Sequence, residues 1–361
     1  MKIVTVVGAR PQFIKAAVVS HALRKNHTEI LVHTGQHFDY NMSQQFFEEL
    51  DIPKPDYNLG ISGGTHAEMT ARMLIAVEDV LQKEKPDMLL LYGDTNSTLA
   101  AALAAAKLHI PICHVEAGAR TNSMTNPEEI NRICTDHISS LLLTSTESGL
   151  ENLQKENLRH RAAFVGDPML DAFLCYSQKA EKQHHTLQKL DGSVCEIPPK
   201  FYYLTCHREE NTNTDATLEE ILKAMEALDA PVVYPVHPRN KACVKRIAAK
   251  IACNNIVFTE PVGYLTSIYL VNHAQKIITD SGGLQREAFF AQKACVTVLN
   301  FVCWPETMHN NRNLLASPRE KDILDKLHQT QTLDANDSPF GDGNASEKVV
   351  KAMEVFCKEK K

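Results

Sequence analysis

The chain reads as an α/β protein built from two parallel-sheet halves, and three observations lead there. Short β-branched runs alternate with helix-period segments from Lys2 onward, which is the rhythm of βαβ units and hence of a parallel sheet. The rhythm breaks once, between Tyr176 and Lys200, where the polar stretch QKAEKQHHTLQKLDGS leads to Pro198 and Pro199 and reads as a linker. At 361 residues the chain has room for two domains of roughly 100 to 200 residues each. The expected organisation is a first domain over residues 1–170, a second over 171–345 with a cleft between them, and a last helix over 346–361 that crosses back onto the first.

The elements follow in order. Ile3 to Val7 reads as the first strand, with a helix from about Phe13 to Lys25, a strand from Ile30 to Thr34 and a helix from Met42 to Leu50. His66 to Lys83 is a long helix and Met88 to Tyr92 a strand. Thr98 to Leu108 is so rich in alanine that its helix can lie close to the sheet. Strand Ile112 to Val115, helix Pro127 to Ile138 and strand Leu141 to Thr144 continue the alternation. Beyond the break, strands are expected at Phe201 to Cys206, Val232 to Val236, Ile256 to Phe258, Lys276 to Thr279 and Cys295 to Leu299, with helices at Thr217 to Leu228 and Ala242 to Ile251. A glycine-containing segment, Pro339 to Asn344, precedes the amphipathic final helix.

Composition excludes several classes of partner. A net charge of -6 with 43% hydrophobic residues, a pI near 6.2 and no block of like charges leave no electrostatic footprint for nucleic acid or an anionic membrane. No apolar run reaches the ~18 residues of a membrane span. MKIVTVVG enters a strand directly, without the features of a signal peptide, so a cytoplasmic location is expected. Ten cysteines are scattered without CxxC spacing, which argues against a zinc or redox motif. Most are expected to pack in apolar surroundings as reduced thiols.

Three carboxylates arrive at the ends of elements. Asp94 lies in YGDTNST after an apolar run, Glu116 in HVEAGAR after another, and Glu128 in NPEEINR at the first turn of a helix. Open α/β sheets bind ligands at such strand ends. Gly8-Ala9-Arg10-Pro11 follows the first strand and opens a helix, with Lys15 about one turn on. Backbone amides, the helix dipole and two cations would converge there on an anion; the alternative is a tight turn with Pro11 near the helix start. The segment is not GxGxxG, so a nicotinamide cofactor is not indicated, and no cofactor is expected.

Thr279-Asp280-Ser281-Gly282-Gly283 repeats the arrangement in the second half. Gly282 and Gly283 would let amides approach phosphate oxygens, and Glu287, one turn on, suits a ribose diol. A plain helix cap by Asp280 or Ser281 is the alternative. His207 with Arg208, and His237 in YPVHPR, follow strands of the same half; histidines at strand ends are candidates for function, and Arg208 adds phosphate-pairing charge. Two anion cradles together point to a nucleotide diphosphate. The three acids with a histidine match no zinc or calcium spacing, so no metal site is expected. His184 and His185 carry no assigned role.

VVGARPQFIK, YGDTNST, HVEAGAR, PEEINR, CHREEN, YPVHPR and TDSGGLQREA occur in this order over most of the chain. Together they resemble the motifs of the non-hydrolysing UDP-N-acetylglucosamine 2-epimerases. The resemblance implies a GT-B fold, two Rossmann-like domains with the active site between them, a UDP-sugar substrate and usually a homodimer. It makes Arg10, Lys15, His207, Ser281, Gly282, Gly283 and Glu287 nucleotide-sugar contacts, and Asp94, Glu116 and Glu128 the catalytic acids, with His207 grouped beside them. The reaction so implied inverts carbon 2 of the sugar: UDP is eliminated from carbon 1 as the proton leaves carbon 2, then adds back after reprotonation on the other face.

The sequence departs from the family pattern in two places. NFVCWPET, with Asn300, Val302 and Cys303, stands where the family usually carries an arginine and then a threonine-glutamate pair, and Trp304 stands where many members have arginine. TGQHFDYNM keeps Gln36 but places Asp39 at a later position of a segment associated with allosteric binding of a second substrate molecule. GARPQFIK with WPE is also similar to epimerases of UDP-2,3-diacetamido-glucuronic acid. A hydrolysing 2-epimerase, a GT-B glycosyltransferase and a silent nucleotide-sugar sensor are the other readings; HVEAGAR with PEEINR favours the non-hydrolysing pattern.

Overall fold

The computed structural model describes residues 1–36, 44–302, 304–334 and 336–359. The chain forms two compact units, Met1–Leu174 with Ser338–Lys361, and Cys175–Asp337. In the first unit the order is β1 Lys2–Val7, α1 Arg10–Leu23, β2 Thr28–His33, α2 Gln44–Glu49, β3 Tyr57–Asn58, α3 His66–Glu84, β4 Met88–Tyr92, α4 Asn96–Lys107, β5 Ile112–Val115, α5 Pro127–Ile138, β6 Leu141–Thr144, α6 Glu147–Lys155 and β7 Ala162–Phe164. The first part of the expected Met42 to Leu50 helix lies outside the described residues.

The seven strands are parallel in the order β3-β2-β1-β4-β5-β6-β7. Strands covered on both faces read as continuous apolar runs, and β4 and β5 are buried at every position. The helices start where their caps dictate. Thr65 accepts from the Glu68 amide (3.2 Å) while the Glu68 carboxylate accepts from the Thr65 amide (2.8 Å), a reciprocal capping box that opens α3. Ala100, Ala101, Ala102, Ala104 and Ala105 of α4 are buried, as their small volume allows.

Helix α7, Pro168–Ala180, leads into the second unit, whose elements are β8 Thr186–Gln188, β9 Val194–Glu196, β10 Tyr202–Thr205, α8 Glu209–Thr212, α9 Asp215–Glu226, β11 Val232–Pro235, α10 Lys241–Ala248, β12 Ile256–Thr259, α11 Tyr264–His273, β13 Ile277–Thr279, α12 Gly282–Phe290, β14 Cys295–Val298, β15 Asn313–Ala316 and α13 Glu320–His328. Its six-stranded parallel sheet runs β12-β11-β10-β13-β14-β15. In both sheets the side on which successive strands are added reverses once, between β1 and β4 and between β10 and β13. Such a switch point opens a crevice at the carboxyl ends of the strands, where doubly wound sheets take ligands.

The stretch expected as a linker is folded. β8 and β9 form an antiparallel hairpin, closed at Asp191-Gly192, where Gly192 has φ +88° and Asp191 accepts from the Ser193 amide at 2.9 Å. Leu187 is buried, and the hairpin is fastened to β12 by Glu260 N–H donating to Gln188 O (2.8 Å) and Leu190 N–H donating to Phe258 O (3.2 Å). Its exposed positions, Thr186, Gln188, Val194 and Glu196, do not alternate cleanly with apolar ones, and they hid a single fully buried leucine, so its pattern read as loop. His185, buried in the same segment, has Nε2 2.9 Å from Ala180 O. The short strands β7 and β15, and helices α11 and α13, were not anticipated either.

Helix α14, Ala345–Glu359, belongs to the first unit and packs on α1. It buries Val349, Val350 and Met353. Lys25 to Glu347 (2.7 Å) and His27 to Glu354 (2.8 Å) flank the contact. None of the nine described cysteines is in a disulfide; Cys113, Cys206, Cys243 and Cys295 are buried, whereas Cys134 and Cys175 are exposed, so fewer pack as core than expected. No described helix is long and apolar enough to cross a membrane.

Candidate active site

The turn after β1 is tied to the end of β4 across the first switch point. Gly8 and Ala9 donate their amides to Gln12 Oε1 at 2.8 and 3.0 Å, and Gln12 Nε2 donates to Tyr92 O at 2.8 Å and Thr98 Oγ1 at 2.9 Å. The amides expected to cradle an anion are therefore taken by the chain's own glutamine. Gly8 is required by close approach: a Cβ there would collide with Ser97 Oγ and Thr34 Oγ1. Arg10 stays half-buried, its guanidinium 4.7 Å above the Phe46 ring.

Lys15 turns inward. It is 1% exposed and its Nζ forms an ion pair with Glu116 Oε2. The expected phosphate contact is thus placed on one of the expected acids. Glu116 has φ +73°, a left-handed conformation that is uncommon for a residue with a side chain. Gly93 lies beside the pair at φ +60°, and this backbone angle, not lack of space, favours glycine: a Cβ there would make ordinary van der Waals contacts, 3.4 Å from Glu116 Oε1 and 3.7 Å from Lys15 Nζ.

Asp94, the next residue, is bound by Arg132 Nη2. Arg132 Nη1 also donates to Glu129 Oε2 at 2.6 Å, and Asn131 Nδ2 donates to Asp94 O at 2.9 Å. Glu129 further accepts from the amides of Thr121 (3.0 Å) and Asn122 (2.8 Å). Burial pushes the Glu129 carboxyl up, but those amides and Arg132 outweigh it and hold it below its ordinary value. Glu128 sits differently. It is exposed in the first turn of α5, where its amide donates to the Asn126 cap at 3.0 Å. The structure brings Asp94, Glu116 and Lys15 to neighbouring turns and leaves Glu128 outside them, with Glu129, Asn131 and Arg132 gripping Asp94 instead.

The second switch point is organised by Asp280, which is 1% exposed. Its Oδ2 accepts from the amides of His207 (2.8 Å) and Arg208 (2.9 Å), its Oδ1 lies 3.1 Å from His207 Nδ1, and Arg208 Nε donates to its carbonyl at 2.9 Å. Burial raises this carboxyl, but the His207 ring and the two amides overcome it and bring it down to about 2. Ser281 caps α12 by accepting from the Leu284 amide at 3.4 Å, so the capping alternative is realised by the serine and not by Asp280. The amides of Gly282 and Gly283 fall in the first helical turn, where no intrahelical acceptor exists.

His207 and His237 stack with centroids 6.3 Å apart. Arg239 donates to the His207 carbonyl, and its own amide donates to His237 Nδ1 at 3.4 Å. Glu287 is buried in α12. Arg208, His207, His237 and the start of α12 thus share one end of the second sheet. Among the described residues no group of three or more His, Cys, Asp or Glu is placed to hold a metal ion.

The signature of the UDP-N-acetylglucosamine 2-epimerase family matches residues 21–354. The chain belongs to this family. The UDP-N-acetylglucosamine 2-epimerase homolog of Methanococcus maripaludis is 45% identical over 98% of this chain and 99% of its own length. A UDP-2,3-diacetamido-2,3-dideoxy-D-glucuronate 2-epimerase of Pseudomonas aeruginosa is also 45% identical, with 98% and 99% covered. The crystal structure of the Methanocaldococcus jannaschii UDP-GlcNAc 2-epimerase in complex with UDP-GlcNAc and UDP superposes with a TM-score of 0.89 at 36% identity, covering 98% of this chain and 100% of that one. The expected GT-B class with two Rossmann-like parallel-sheet domains stands.

Two departures from the epimerase pattern have visible surroundings. Trp304 is nearly buried, and the Arg286 guanidinium lies 4.1 Å from its ring centroid. Asn300 is exposed, and the neighbouring Phe301 ring takes the Arg208 guanidinium at 5.2 Å. Cys303 and Asp39 lie outside the described residues. Sequence reading missed Gln12, Glu129, Asn131 and Arg132. PEEINR did contain the signal for the last of these, because Glu129 and Arg132 stand at i,i+3 on one helix face.

Proposed function

We propose that this epimerase interconverts UDP-N-acetylglucosamine and UDP-N-acetylmannosamine by elimination and re-addition of UDP. The observation that carries the reading is the pair of carboxylates at adjacent strand ends, Asp94 on Arg132 and Glu116 on the buried Lys15. Removing a weakly acidic proton from carbon 2 needs a positioned base, and returning one from the other face needs a second group; each such contribution is typically 10² to 10⁴-fold. Asp94 and Glu116 take these two tasks. Lys15 compensates Glu116 where both side chains are buried and charge interactions are strong. No cofactor is required, because the chemistry is proton transfer coupled to loss and return of a good leaving group.

The second unit holds the diphosphate in this proposal. Amides at the start of α12, the Ser281 hydroxyl and Arg208 are the donors that stabilise charge as UDP departs. His207, oriented by Asp280, faces the same end of the sheet, with His237 beside it, and Glu287 takes the ribose. Arg10 adds a further phosphate contact and Glu128 remains a candidate acid. A homodimer, as family membership implies, working in the cytoplasm completes the proposal.

A second substrate is favoured by one observation: the Pseudomonas enzyme named for UDP-2,3-diacetamido-2,3-dideoxy-D-glucuronate matches at 45% identity, above the 36% of the UDP-GlcNAc-bound archaeal structure. Incubation with each UDP-sugar in deuterated water, followed by NMR, tests both. The leading reading expects UDP-N-acetylmannosamine carrying deuterium at carbon 2 with UDP attached. Turnover of the diacetamido-uronate alone would transfer the proposal to that substrate, and release of a free sugar would reassign the chain to hydrolysis.

A further inference from the structure

We propose that His114 is a positioning residue that fixes the spacing of Asp94 and Glu116 by donating hydrogen bonds from both of its ring nitrogens. Its functional consequence rests on the epimerase reading above. The ring is fully buried in β5, two residues before Glu116. Nδ1 lies 2.7 Å from Asp136 Oδ1 and Nε2 lies 2.7 Å from the Gly93 carbonyl oxygen. A carbonyl oxygen can only accept, and an ionised carboxylate can only accept, so each ring nitrogen carries a hydrogen. The ring is an imidazolium.

The other possibility, a protonated Asp136 donating to the ring, conflicts with the rest of its contacts. Asp136 Oδ2 accepts from the Gly118 amide at 3.0 Å and lies 2.8 Å from Arg120 Nη2. An amide and a guanidinium on one oxygen stabilise the ionised carboxylate. Arg120 is in turn held by Glu156 at 2.8 Å through both oxygens. Charges therefore alternate along a line from the buried His114, Asp136 and Arg120 out to the half-buried Glu156, which is how buried charge is tolerated. On the other side of Gly93 the nearest charged groups are Lys15 and Glu116, already paired with each other.

The connectivity explains what the line does. Gly93 O belongs to the turn that presents Asp94, and Gly118 N belongs to the turn that begins with Glu116. His114 and Asp136 join those two turns by short, charge-assisted hydrogen bonds. Glu116 holds a left-handed backbone at φ +73°, and such conformations persist where the surroundings determine them from several sides. A loss of about 1 Å in the relative placement of reacting groups costs on the order of 10²-fold in rate.

Nitrogen-15 NMR of the full chain with labelled histidine, assigned by the His114→Gln variant, tests the proposal directly. Both ring nitrogens of His114 are expected to show the protonated shift and an attached hydrogen at neutral pH; one unprotonated nitrogen would overturn it. His114→Gln is expected to lower kcat by roughly 10- to 100-fold with UDP affinity unchanged, and wild-type kcat in that variant would equally overturn the positioning role. Should His114→Gln fail to fold, Asp136→Asn takes its place, with loss of one of the two ring hydrogens as the expected spectrum and retention of both as the contrary one. The spectroscopic arm needs no turnover, so an enzyme inactive on both UDP-sugars would refute the epimerase reading and leave the ring assignment to be decided by NMR.

Discussion

Lys15 lies one turn inside α1 with its ammonium on Glu116, and 1% of it is exposed. Removing one partner of such a buried pair leaves an uncompensated charge, a loss of about 3–5 kcal/mol. Lys15→Met is therefore expected to lower the unfolding free energy from urea titration by that amount, and the double variant Lys15→Met with Glu116→Gln to recover most of it; equal stability of Lys15→Met and wild type would contradict the pairing. The motif GARPQFIK made Lys15 visible as important, yet its direction was not legible. Sequence shows that a cation stands one turn from a strand end, whereas which neighbour it meets is set in three dimensions by Glu116 arriving from the end of β5 across the switch point. Gln12 was invisible for a related reason: a glutamine that satisfies its own turn looks like any polar residue near a helix start. Glu128 and Glu129 show the limit most plainly, since a one-residue step around a helix places one in solvent and the other against Arg132.

At the scale of elements, Asp280 fastens the turn after β10 to the turn after β13. Its carboxyl is lowered from 3.8 to about 2, so the folded state favours the ionised form. That contribution is present above the unfolded value near 4 and is lost as pH falls through the folded value near 2. The difference amounts to about 2 kcal/mol. The stability gap between wild type and Asp280→Asn, measured by denaturant titration at several pH values, is expected to shrink between pH 4 and 2; a gap unchanged over that range would contradict the assignment. Elements of long period or continuous apolar run, such as α3, β4 and β5, were legible from sequence to within a residue or so. The hairpin β8–β9 was not, because each strand is three residues long and only Leu187 points inward with full burial. β15 escaped for a similar reason: Asn313 opens it, and a polar first residue masks a short run.

At the scale of the whole molecule, the last segment of the chain completes the first unit. Phe340, Val349, Val350 and Met353 are buried, and burial of each side chain contributes about 1.5–3 kcal/mol. Their sum approaches the stability of an ordinary domain. A chain ending at Asp337 is expected to lose the cooperative unfolding of the first unit and to aggregate, as judged by circular dichroism and light scattering; a soluble, cooperatively folded product would contradict this. The α/β class and the doubling of the parallel sheet were legible because the βαβ rhythm sets both. The return of the C-terminus to the first domain was expected from its amphipathic helix, but the element it docks on was not legible, since that face is defined by α1, more than 300 residues away in sequence. The proposed mechanism divides labour, with proton transfer in the first unit and UDP binding in the second. Asp94→Asn, incubated with UDP-GlcNAc in deuterated water, is expected to lose deuterium entry at carbon 2 while its UDP affinity, measured by calorimetry, stays within a few-fold of wild type. Wild-type exchange in that variant would remove Asp94 from the reaction and overturn this division.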